Sequence, residues 1–346
     1  MPRLVLHIGT HKTGTTAFQE ACHAHRADLA RQRVIYPDAG RHSGHHSYLT
    51  DWISLPQAYV SAAGGLAGLR RLADDWRDSD ATLLLSSEEF SRAGGRGGRV
   101  DFALLREVFA GYSMLVVCVL RIQWQFIQAV YLELSRTTPP PPPAALVAEA
   151  LSTGQVDGLW CDYAALYQGL RESFSPDEIL MLDYTQLCAA PEGVVGGILK
   201  AANATGTDES PDWARARTRV NASPAALPTW AAHVVAGGRT PGSDLRHVAQ
   251  EAFDLEYGAG RSGVLLSREE TAGIDAHFRG PNETLANLVA GQQPGWELST
   301  PSPDATALHR EDIRDGYWIR LARRLDLRQR GAPISAHCKA RTGGKE

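Results

Sequence analysis

The sequence is poor in the features that define several protein classes. Its 346 residues include only five cysteines, which are scattered and form no CxxC pair. This pattern argues against a disulfide framework and against a cysteine-rich zinc site. No apolar run approaches the roughly 18 residues of a membrane span, and the amino terminus lacks a signal-peptide pattern. We therefore predict a cytoplasmic protein with no membrane span.

An excess of positive charge is also missing. The chain has 35 basic and 39 acidic side chains, which gives a net charge of −4. General nucleic-acid-binding proteins usually carry a clear basic excess, so we expect no nucleic-acid partner. Hydrophobic residues make up 43% and charged residues 21% of the chain, which excludes wholesale disorder. A local anion site remains compatible with these numbers, because net charge does not describe one pocket.

Short apolar runs alternate with amphipathic segments over the first half of the chain. The runs that predict buried strands are Leu4–Ile8, Ala81–Leu85, Met114–Leu120 and Ile179–Leu182. The segments that predict helices are Thr16–Arg31, Gly65–Trp76, Phe102–Phe109, Trp124–Arg136 and Tyr163–Phe174. This alternation predicts an α/β fold, a three-layer sandwich with a central parallel sheet.

The rest of the chain is divided by proline and glycine. The five prolines Pro139–Pro143 predict a stiff surface connector. The carboxyl-terminal third keeps two helical patterns, Arg268–Phe278 and Asn282–Ala290. We therefore assign residues 1–235 to the α/β core, residues 236–330 to a helical appendage of the same domain, and residues 331–346 to a tail that we predict to be flexible.

The segment Gly9-Thr10-His11-Lys12-Thr13-Gly14-Thr15-Thr16 follows the first predicted strand and opens the first predicted helix. Backbone N–H groups and the helix dipole favour an anion at such a junction. The two glycines have the spacing of a Walker A loop, but in that loop a lysine directly follows the second glycine. Here the lysine is Lys12, inside the loop, which disfavours a magnesium-dependent nucleotide hydrolase.

The loop sequence HIGTHKTGTT resembles the 5′-phosphosulfate loop of sulfotransferases that use 3′-phosphoadenosine 5′-phosphosulfate (PAPS), and it looks most like the bacterial branch. The resemblance implies a P-loop-NTPase-like fold, PAPS as co-substrate and no metal. It implies that loop amides and threonine hydroxyls hold the 5′-phosphate and sulfonate, while Lys12 contacts the bridging oxygen of the leaving group. The cofactor-binding residues that it implies in the loop are Thr10, His11, Lys12, Thr13, Gly14, Thr15 and Thr16.

The segment VVCVLRIQWQFIQAVYLELSR resembles the family's 3′-phosphate element, in which a strand ends in arginine and a serine follows eight positions later. Arg121 matches, and a guanidinium can bind phosphate through two hydrogen bonds. The position of the serine is occupied by Ala129, which cannot donate a hydrogen bond. Gln125, Gln128 or Ser135 is an alternative donor, and a surface ion pair is the other interpretation of Arg121.

Two later segments resemble the family more weakly. Leu182-Asp183-Tyr184 and the residues after it are similar to a strand, loop and helix passage, which concerns topology alone. Arg219-Val220-Asn221-Ala222-Ser223 is similar to a loop that can close over the cofactor. That likeness implies Arg219 and Ser223 as further cofactor-binding residues, and a solvated loop is the alternative.

Sulfuryl transfer to an alcohol needs in-line attack and a base for the acceptor proton. In the family the base is a histidine or a glutamate whose position varies. The branch often carries a histidine in the loop after the first helix, and histidine titrates near neutral pH, so we rank His46 and His45 first. Glu88 follows, because strand ends on the carboxyl side of a parallel sheet face the ligand crevice. We expect one of Glu88 and Glu89 to reach in while the other faces water.

The sequence therefore predicts an enzyme that moves a sulfuryl group from PAPS to a hydroxyl or amine and releases adenosine 3′,5′-bisphosphate. A small molecule or glycan is favoured over a protein as acceptor, and a homodimer is an open alternative. The runner-up functions are a magnesium-dependent P-loop kinase or nucleotide-binding enzyme and a degenerate member that binds a 3′-phosphonucleotide without turnover. A further alternative is a metal site formed by His42, His45 and His46 with His23 or His25, although metal spacing such as HExxH is absent.

Overall fold

The computed structural model describes residues 1–39, 42–94, 97–204, 211–215 and 224–330. The strands are β1 (Arg3–Gly9), β2 (Val34–Ile35), β3 (Thr82–Ser86), β4 (Ser113–Leu120), β5 (Gln155–Val156), β6 (Leu159–Trp160), β7 (Ile179–Asp183), β8 (Gly263–Val264) and β9 (Leu308–His309). The α-helices are α1 (Thr15–Ala24), α2 (Arg26–Arg31), α3 (Gly65–Trp76), α4 (Phe102–Val108), α5 (Gln123–Thr137), α6 (Pro143–Thr153), α7 (Tyr163–Arg171), α8 (Tyr184–Ala189), α9 (Gly193–Ala201), α10 (Ala226–Ala236), α11 (Ser243–Tyr257), α12 (Arg268–Val289) and α13 (Asp315–Gln329).

Five strands form one parallel sheet in the order β2-β3-β1-β4-β7. In the central strand β1, Leu6 lies level with Leu85 of β3 and with Val116 of β4. All residues of β1 after Arg3 are buried. Because successive side chains point to opposite faces, a strand buried at consecutive positions is covered on both. The sheet is the middle of three layers, which confirms the predicted α/β class.

The apolar core on one face of the sheet fixes the first helix. Val5 of β1 and Val117 of β4 belong to one buried cluster with Phe18 and Cys22 of α1 and with Ile198 of α9. Full burial of a side chain of this kind contributes about 1.5–3 kcal/mol. The cluster therefore packs α1 and α9 against this face of the sheet.

Contacts divide the chain into two compact units. The first consists of the described residues of Met1–Val130, Pro141–Ala222 and Glu269–Ser302, and the second of those of Tyr131–Pro140, Ser223–Arg268 and Pro303–Glu346. The expected boundary at residue 235 does not coincide with this division, because α10 belongs to the second unit and almost all of α12 to the first. Residues 331–346, the predicted tail, lie outside the described residues.

The second unit is helical, which confirms the predicted helical character of the carboxyl-terminal region. Its core joins Leu227 of α10, Val248 and Phe253 of α11, and Tyr317 and Leu321 of α13. In the parts of the chain that the structure describes, no helix is long and apolar enough to cross a membrane.

Three predicted elements differ from the structure. Two of the differences occur at glycine or proline residues, and the third is a break within a predicted helix. The two helices expected on either side of Gly280 form one helix, α12, with Pro281 inside it. The proline run is not entirely a connector, because Pro143 opens α6 at a position where the missing N–H costs nothing. The first predicted helix is broken at His25 into α1 and α2.

Candidate active site

The carboxyl ends of three adjacent strands form the edge at which the candidate site lies. Strand β1 continues into the loop of residues 9–14, β3 into the short 3₁₀ helix Glu88–Ser91, and β4 into Arg121. The N–H of Thr10 donates to the carbonyl of Val119 at 2.7 Å, which ties the loop to β4. Ligands of parallel α/β sheets bind beyond this edge.

The loop after β1 has an unusual backbone. Gly9 and Gly14 have φ values of +69° and +83°, in the left-handed region that glycine adopts readily. Lys12 is also left-handed, at φ +62°, where a side chain costs roughly 1–2 kcal/mol. A Cβ at position 9 would lie 2.8 Å from Cγ2 of Thr15. The loop therefore requires Gly9 for space, and it holds Lys12 in a strained conformation of the kind found at functional sites.

The loop ends in an amide-rich helix terminus. Gly14 is the N-cap of α1 and provides no side-chain cap, so the first amides of the helix keep no partner from that position. Thr13 donates its hydroxyl to the carbonyl of Thr10 at 2.6 Å, which closes the turn. Left-handed residues and helix-start amides together suit the binding of a phosphate or sulfonate.

Arg121 joins the end of β4 to this loop. Its Nη1 donates to the carbonyl of Lys12 at 3.2 Å, and its Nε donates to Oε1 of Gln125 at 3.2 Å. The guanidinium lies 5.2 Å from the ring centre of Tyr184. Tyr163 donates its hydroxyl to the Arg121 carbonyl at 2.6 Å. Burial lowers the pKa of Arg121. A guanidinium starts from so high a pKa that the side chain stays a cation at neutral pH.

The residues that surround the loop offer donors for two anionic groups. The start of α1 offers backbone donors, Lys12 offers an ammonium group, and Arg121 has donors beyond the two in the contacts above. Ala129, eight residues beyond Arg121 in α5, is 7% exposed and offers no polar atom. Gln125, one of the alternative donors, lies directly beside Arg121.

Glu88 is the first residue of the 3₁₀ helix after β3, and it lies against Gly9, where the loop begins. A Cβ on Gly9 would be 3.2 Å from the Cβ of Glu88, and Nε2 of Gln19 donates to Oε2 of Glu88 at 2.9 Å. Burial raises the pKa of Glu88, but the charges of His46 and His11 outweigh it and the pKa is lowered overall. Glu88 is therefore a carboxylate at neutral pH and can accept a proton.

His46 is the first residue of the short 3₁₀ helix His46–Leu49. Its charge acts on Glu88 of the neighbouring 3₁₀ helix. Nδ1 of His46 is 2.7 Å from the hydroxyl oxygen of Ser87. A Cβ at Gly44 would be 2.6 Å from Nε2 of His46 and 2.6 Å from Oε1 of Gln19. Gly44 thus provides the space in which the imidazole and the amide approach each other.

His45 is held by the backbone at both ring nitrogens. Its Nε2 donates to the carbonyl of Pro37 at 2.9 Å, and its Nδ1 accepts the N–H of Ser86 at 2.9 Å. Its side chain is fully buried, and burial lowers its pKa to about 4. These contacts disfavour His45 as the base, because it would have to break one of these bonds to take a proton.

Glu89 points away from Glu88 but not into water, in contrast to the expectation. Its carboxylate contacts Nε of Arg92, and its Oε1 is 3.4 Å from Nε2 of His11. Burial raises the pKa of Glu89, but the hydrogen bond from His11 and the charges of His11 and Arg92 lower it to about 2. The two neighbouring glutamates therefore serve two different clusters.

A histidine in the centre of the sheet completes this group. His7 of β1 is fully buried, and its Nδ1 is 2.8 Å from the hydroxyl oxygen of Ser86. Its ring lies 4.5 Å from that of Phe18. Burial lowers the pKa of His7 to about 4, despite the opposing charge of Glu88. The sequence signal that could have identified it is a histidine within an apolar strand.

Of the other residues predicted to bind the cofactor, some lie within the residues that the structure describes and some do not. Thr15 is buried at the start of α1 and Thr16 is exposed there, while Arg219 and Ser223 lie outside the described residues. The sequence analysis missed Gln19 and Ser87, because their contacts with Glu88 and His46 span distant parts of the chain. It also missed Arg92, whose contact with Glu89 is local. No group of three or more metal-ligating side chains occurs within the described ranges.

No protein-family model matches the sequence, and no curated protein matches it. Among solved structures, the chain is similar to a sulfotransferase from Alicyclobacillus acidocaldarius, with 13% identity and a TM-score of 0.47. The alignment covers 84% of this chain and 96% of that chain. A TM-score below 0.5 carries no argument, so the fold class stands on the sheet described above and the chemistry on the residues at its edge.

Proposed function

We propose that the chain transfers a sulfuryl group from PAPS to a hydroxyl or amine of a small molecule or glycan. The observation that carries this proposal is the contact between Arg121 and the carbonyl of Lys12. It unites two anion-binding elements, the loop after β1 and the end of β4, at one sheet edge. The 5′ and 3′ groups of PAPS require two such elements close together.

The loop is proposed to hold the 5′-phosphosulfate. Amides at the start of α1 face the phosphate and sulfonate oxygens, and the ammonium group of Lys12 faces the bridging oxygen. Negative charge grows on this oxygen as its bond to sulfur breaks, so Lys12 acts mainly in the transition state. The left-handed backbone of Lys12 supports this role, since it fixes where the side chain leaves the loop.

Arg121 is proposed to bind the 3′-phosphate with the N–H groups that do not contact Lys12 or Gln125. A guanidinium presents its donors in one plane and matches two phosphate oxygens at once. The ring of Tyr184 supports that plane from one side. Ala129 leaves Arg121 as the principal donor to this phosphate.

His46 is proposed as the base, with Glu88 as the anion beside it. The acceptor oxygen attacks sulfur, the bond between sulfur and the bridging oxygen breaks, and the acceptor proton passes to Nε2 of His46. The released electrons remain on the bridging oxygen beside Lys12. The carboxylate of Glu88 stabilises the imidazolium that forms. The cavity of about 10 Å³ lined by Gly44 and Tyr59 lies beside this group and has the size of a water or a hydroxyl.

Binding of adenosine 3′,5′-bisphosphate tests the proposal directly. Ligand at ~100 times its dissociation constant should add about 2.7 kcal/mol to the free energy of unfolding. Arg121→Gln should weaken binding in a calorimetric titration. Arg106→Gln is the matched control, because Arg106 forms an ion pair with Glu178 instead. Stabilisation by ATP with magnesium but not by the bisphosphate would refute the proposal in favour of a kinase.

A screen of hydroxyl- and amine-bearing acceptors with PAPS tests turnover. A mass gain of one sulfonate on the acceptor supports transfer. Binding of the bisphosphate without transfer to any acceptor would instead support the degenerate, non-catalytic alternative. The cytoplasmic location and the homodimer stay predictions from the sequence.

A further inference from the structure

The segment that follows α12 lies along the outer edge of β7 and has no part in the proposed reaction. Residues 293–301, which we call the strap, form neither helix nor strand. Because β7 is the end strand of the sheet, its outer backbone groups need other partners. The side-chain amide of Gln293 donates to the carbonyl of Met181 at 2.7 Å and accepts the N–H of the same residue at 2.9 Å. The strap is thereby fixed to the strand beside β4, which leads to Arg121.

We propose that the strap gives the site its preference for nucleotides that carry a 3′-phosphate, with Asp183 and Gln293 as positioning residues. These two residues hold the start of α8, and through its first residue, Tyr184, they hold the guanidinium of Arg121. This inference rests on the proposed function, in which Arg121 binds the 3′-phosphate.

The first support is the position of Asp183 between the strap and α8. Its side chain is only 3% exposed at the end of β7. Its Oδ2 accepts the N–H of Ser299 in the strap at 2.5 Å, and its Oδ1 accepts the N–H of Gln186 at 2.8 Å as the N-cap of α8. A buried carboxylate is costly unless its oxygens are hydrogen-bonded. One side chain therefore couples the strap to the start of the helix.

The second support is the contact that this helix start makes with the site. Tyr184 directly follows Asp183, and the centre of its ring lies 5.2 Å from the guanidinium of Arg121. A Cβ on Gly14 would be 3.6 Å from Cε2 of the same ring. The ring thus lies against both proposed anion-binding elements, the end of β4 and the loop after β1. A shift of the start of α8 would move this ring and remove the support of the guanidinium plane.

The third support is the other end of the strap. Nε1 of Trp124, in the first turn of α5, donates to the carbonyl of Pro301 at 3.1 Å. The strap is therefore attached to both helices that begin beside Arg121, α5 and α8. Its effect on that arginine is large because Ala129 offers no second donor to the 3′-phosphate.

The test compares the binding of adenosine 3′,5′-bisphosphate and adenosine 5′-monophosphate to the full chain by calorimetric titration. The ratio of the two dissociation constants isolates the contribution of the 3′-phosphate. Asp183→Asn keeps only one of the two acceptor oxygens, Gln293→Ala removes the amide, and Trp124→Phe keeps a ring without the N–H. Asp101→Asn is the matched control, because Asp101 caps α4 through one oxygen and asparagine caps a helix equally well.

We expect Asp183→Asn and Gln293→Ala to weaken bisphosphate binding by about tenfold, the lower end of what one hydrogen bond to a charged group contributes. Monophosphate binding should stay within about twofold of the wild type, since the loop alone holds the 5′-phosphate. Trp124→Phe should shift the ratio less and in the same direction, and Asp101→Asn should not shift it. In an Arg121→Gln background, Asp183→Asn should leave the ratio unchanged, because the strap acts through that arginine. If Asp183→Asn fails to fold, the Gln293 and Trp124 variants still decide.

A wild-type ratio in Asp183→Asn and Gln293→Ala would overturn the inference even if both variants melt at a lower temperature, since a purely structural role lowers stability without changing the ratio. Full additivity of Asp183→Asn and Arg121→Gln would overturn it as well. Both results leave the proposed function intact, provided that the wild type binds the bisphosphate. Absence of bisphosphate binding by the wild type would overturn the proposed function, and this inference with it.

Discussion

The two units differ in where they place their ionised side chains. In the first unit, Glu88 and Glu89 lie half-buried at the sheet edge among histidines. In the second unit, ion pairs such as Arg268 with Asp312 and Arg320 with Glu256 lie on exposed helix faces. A half-buried carboxylate costs stability and has a perturbed pKa. An exposed ion pair costs less stability and perturbs the pKa values of its members less. This difference supports the proposal that places the chemistry in the first unit.

The cores of the two units show the same contrast. The second unit is held by aromatic contacts, in which Trp318 lies 5.7 Å from Trp230 and 5.2 Å from Tyr317. The central strand of the first unit contains a fully buried histidine, His7, whereas the buried histidines of the second unit, His233 and His309, keep 8% and 6% exposure. The predictions below test whether charge in the first unit controls rate and pH response while charge in the second unit only adjusts stability.

The largest effect is expected from removal of the base. His46→Gln should lower the transfer rate by about 10²–10⁴, because the acceptor would lose its proton without a positioned base. Circular dichroism should show an unchanged fold. His42→Gln is the control from the same loop and should retain nearly full activity. A normal rate in His46→Gln together with a collapse in Glu88→Gln would assign the base to the glutamate.

The next effect is expected at the loop lysine. Lys12→Ala should lower the turnover rate by about 10²–10³ while bisphosphate affinity changes much less, since the contact strengthens in the transition state. The matched control is Lys200→Ala, because Lys200 forms an exposed ion pair with Glu192 in the same unit. Equal losses in binding and in turnover would show that Lys12 only holds the substrate.

The third prediction concerns stability as a function of pH. Burial lowers the pKa of His7 and of His45 to about 4, whereas an unfolded histidine titrates near 6.5. The unfolded chain binds these protons first, so the stabilisation is complete above about pH 6.5 and is lost as the pH falls through 4. Each residue should account for about 3 kcal/mol of that loss.

Urea unfolding at several pH values checks this expectation. His7→Leu should reduce the slope of unfolding free energy against pH between about 6.5 and 4. His247→Gln, which changes an exposed histidine of the second unit, should leave the slope unchanged. An unaltered slope in His7→Leu would mean that the buried ring titrates normally.

The smallest effect is expected in the second unit. Arg320→Ala breaks the exposed pair with Glu256 and should change the free energy of unfolding by less than about 1 kcal/mol. The transfer rate and its pH profile should not change. A rate loss of tenfold or more would contradict the assignment of the chemistry to the first unit.

The sheet could be predicted from the sequence because buried parallel strands leave a local signal. The apolar runs around Leu4, Leu83 and Val116 have no polar face, and each became a strand of the sheet. The pair Val34–Ile35 was not predicted, since an edge strand of this length has too little pattern. The break expected at Gly280 was wrong because packing of α12 overrides a local proline signal.

The site could be predicted only where its residues share one motif. The loop around Lys12 and the end of β4 at Arg121 both carry local patterns, and the structure brings them into contact. The roles of the histidines and glutamates depend on partners far away in sequence. His45 differs from His46 only because Pro37 and Ser86 occupy both of its nitrogens, and no local pattern contains that information.

The hydrogen bond from Arg121 to the Lys12 carbonyl has a consequence for substrate selection. In the proposed reaction the arginine that holds the 3′-phosphate also shapes the turn from which the lysine reaches the breaking bond. Binding of the 3′-phosphate by Arg121 is therefore coupled to the position of Lys12 in the loop. An analogue that lacks the 3′-phosphate would occupy the loop while the lysine is less well aimed. Such an analogue would bind but would rarely transfer its group. The acceptor would therefore seldom be modified by the wrong donor, even when that donor is abundant.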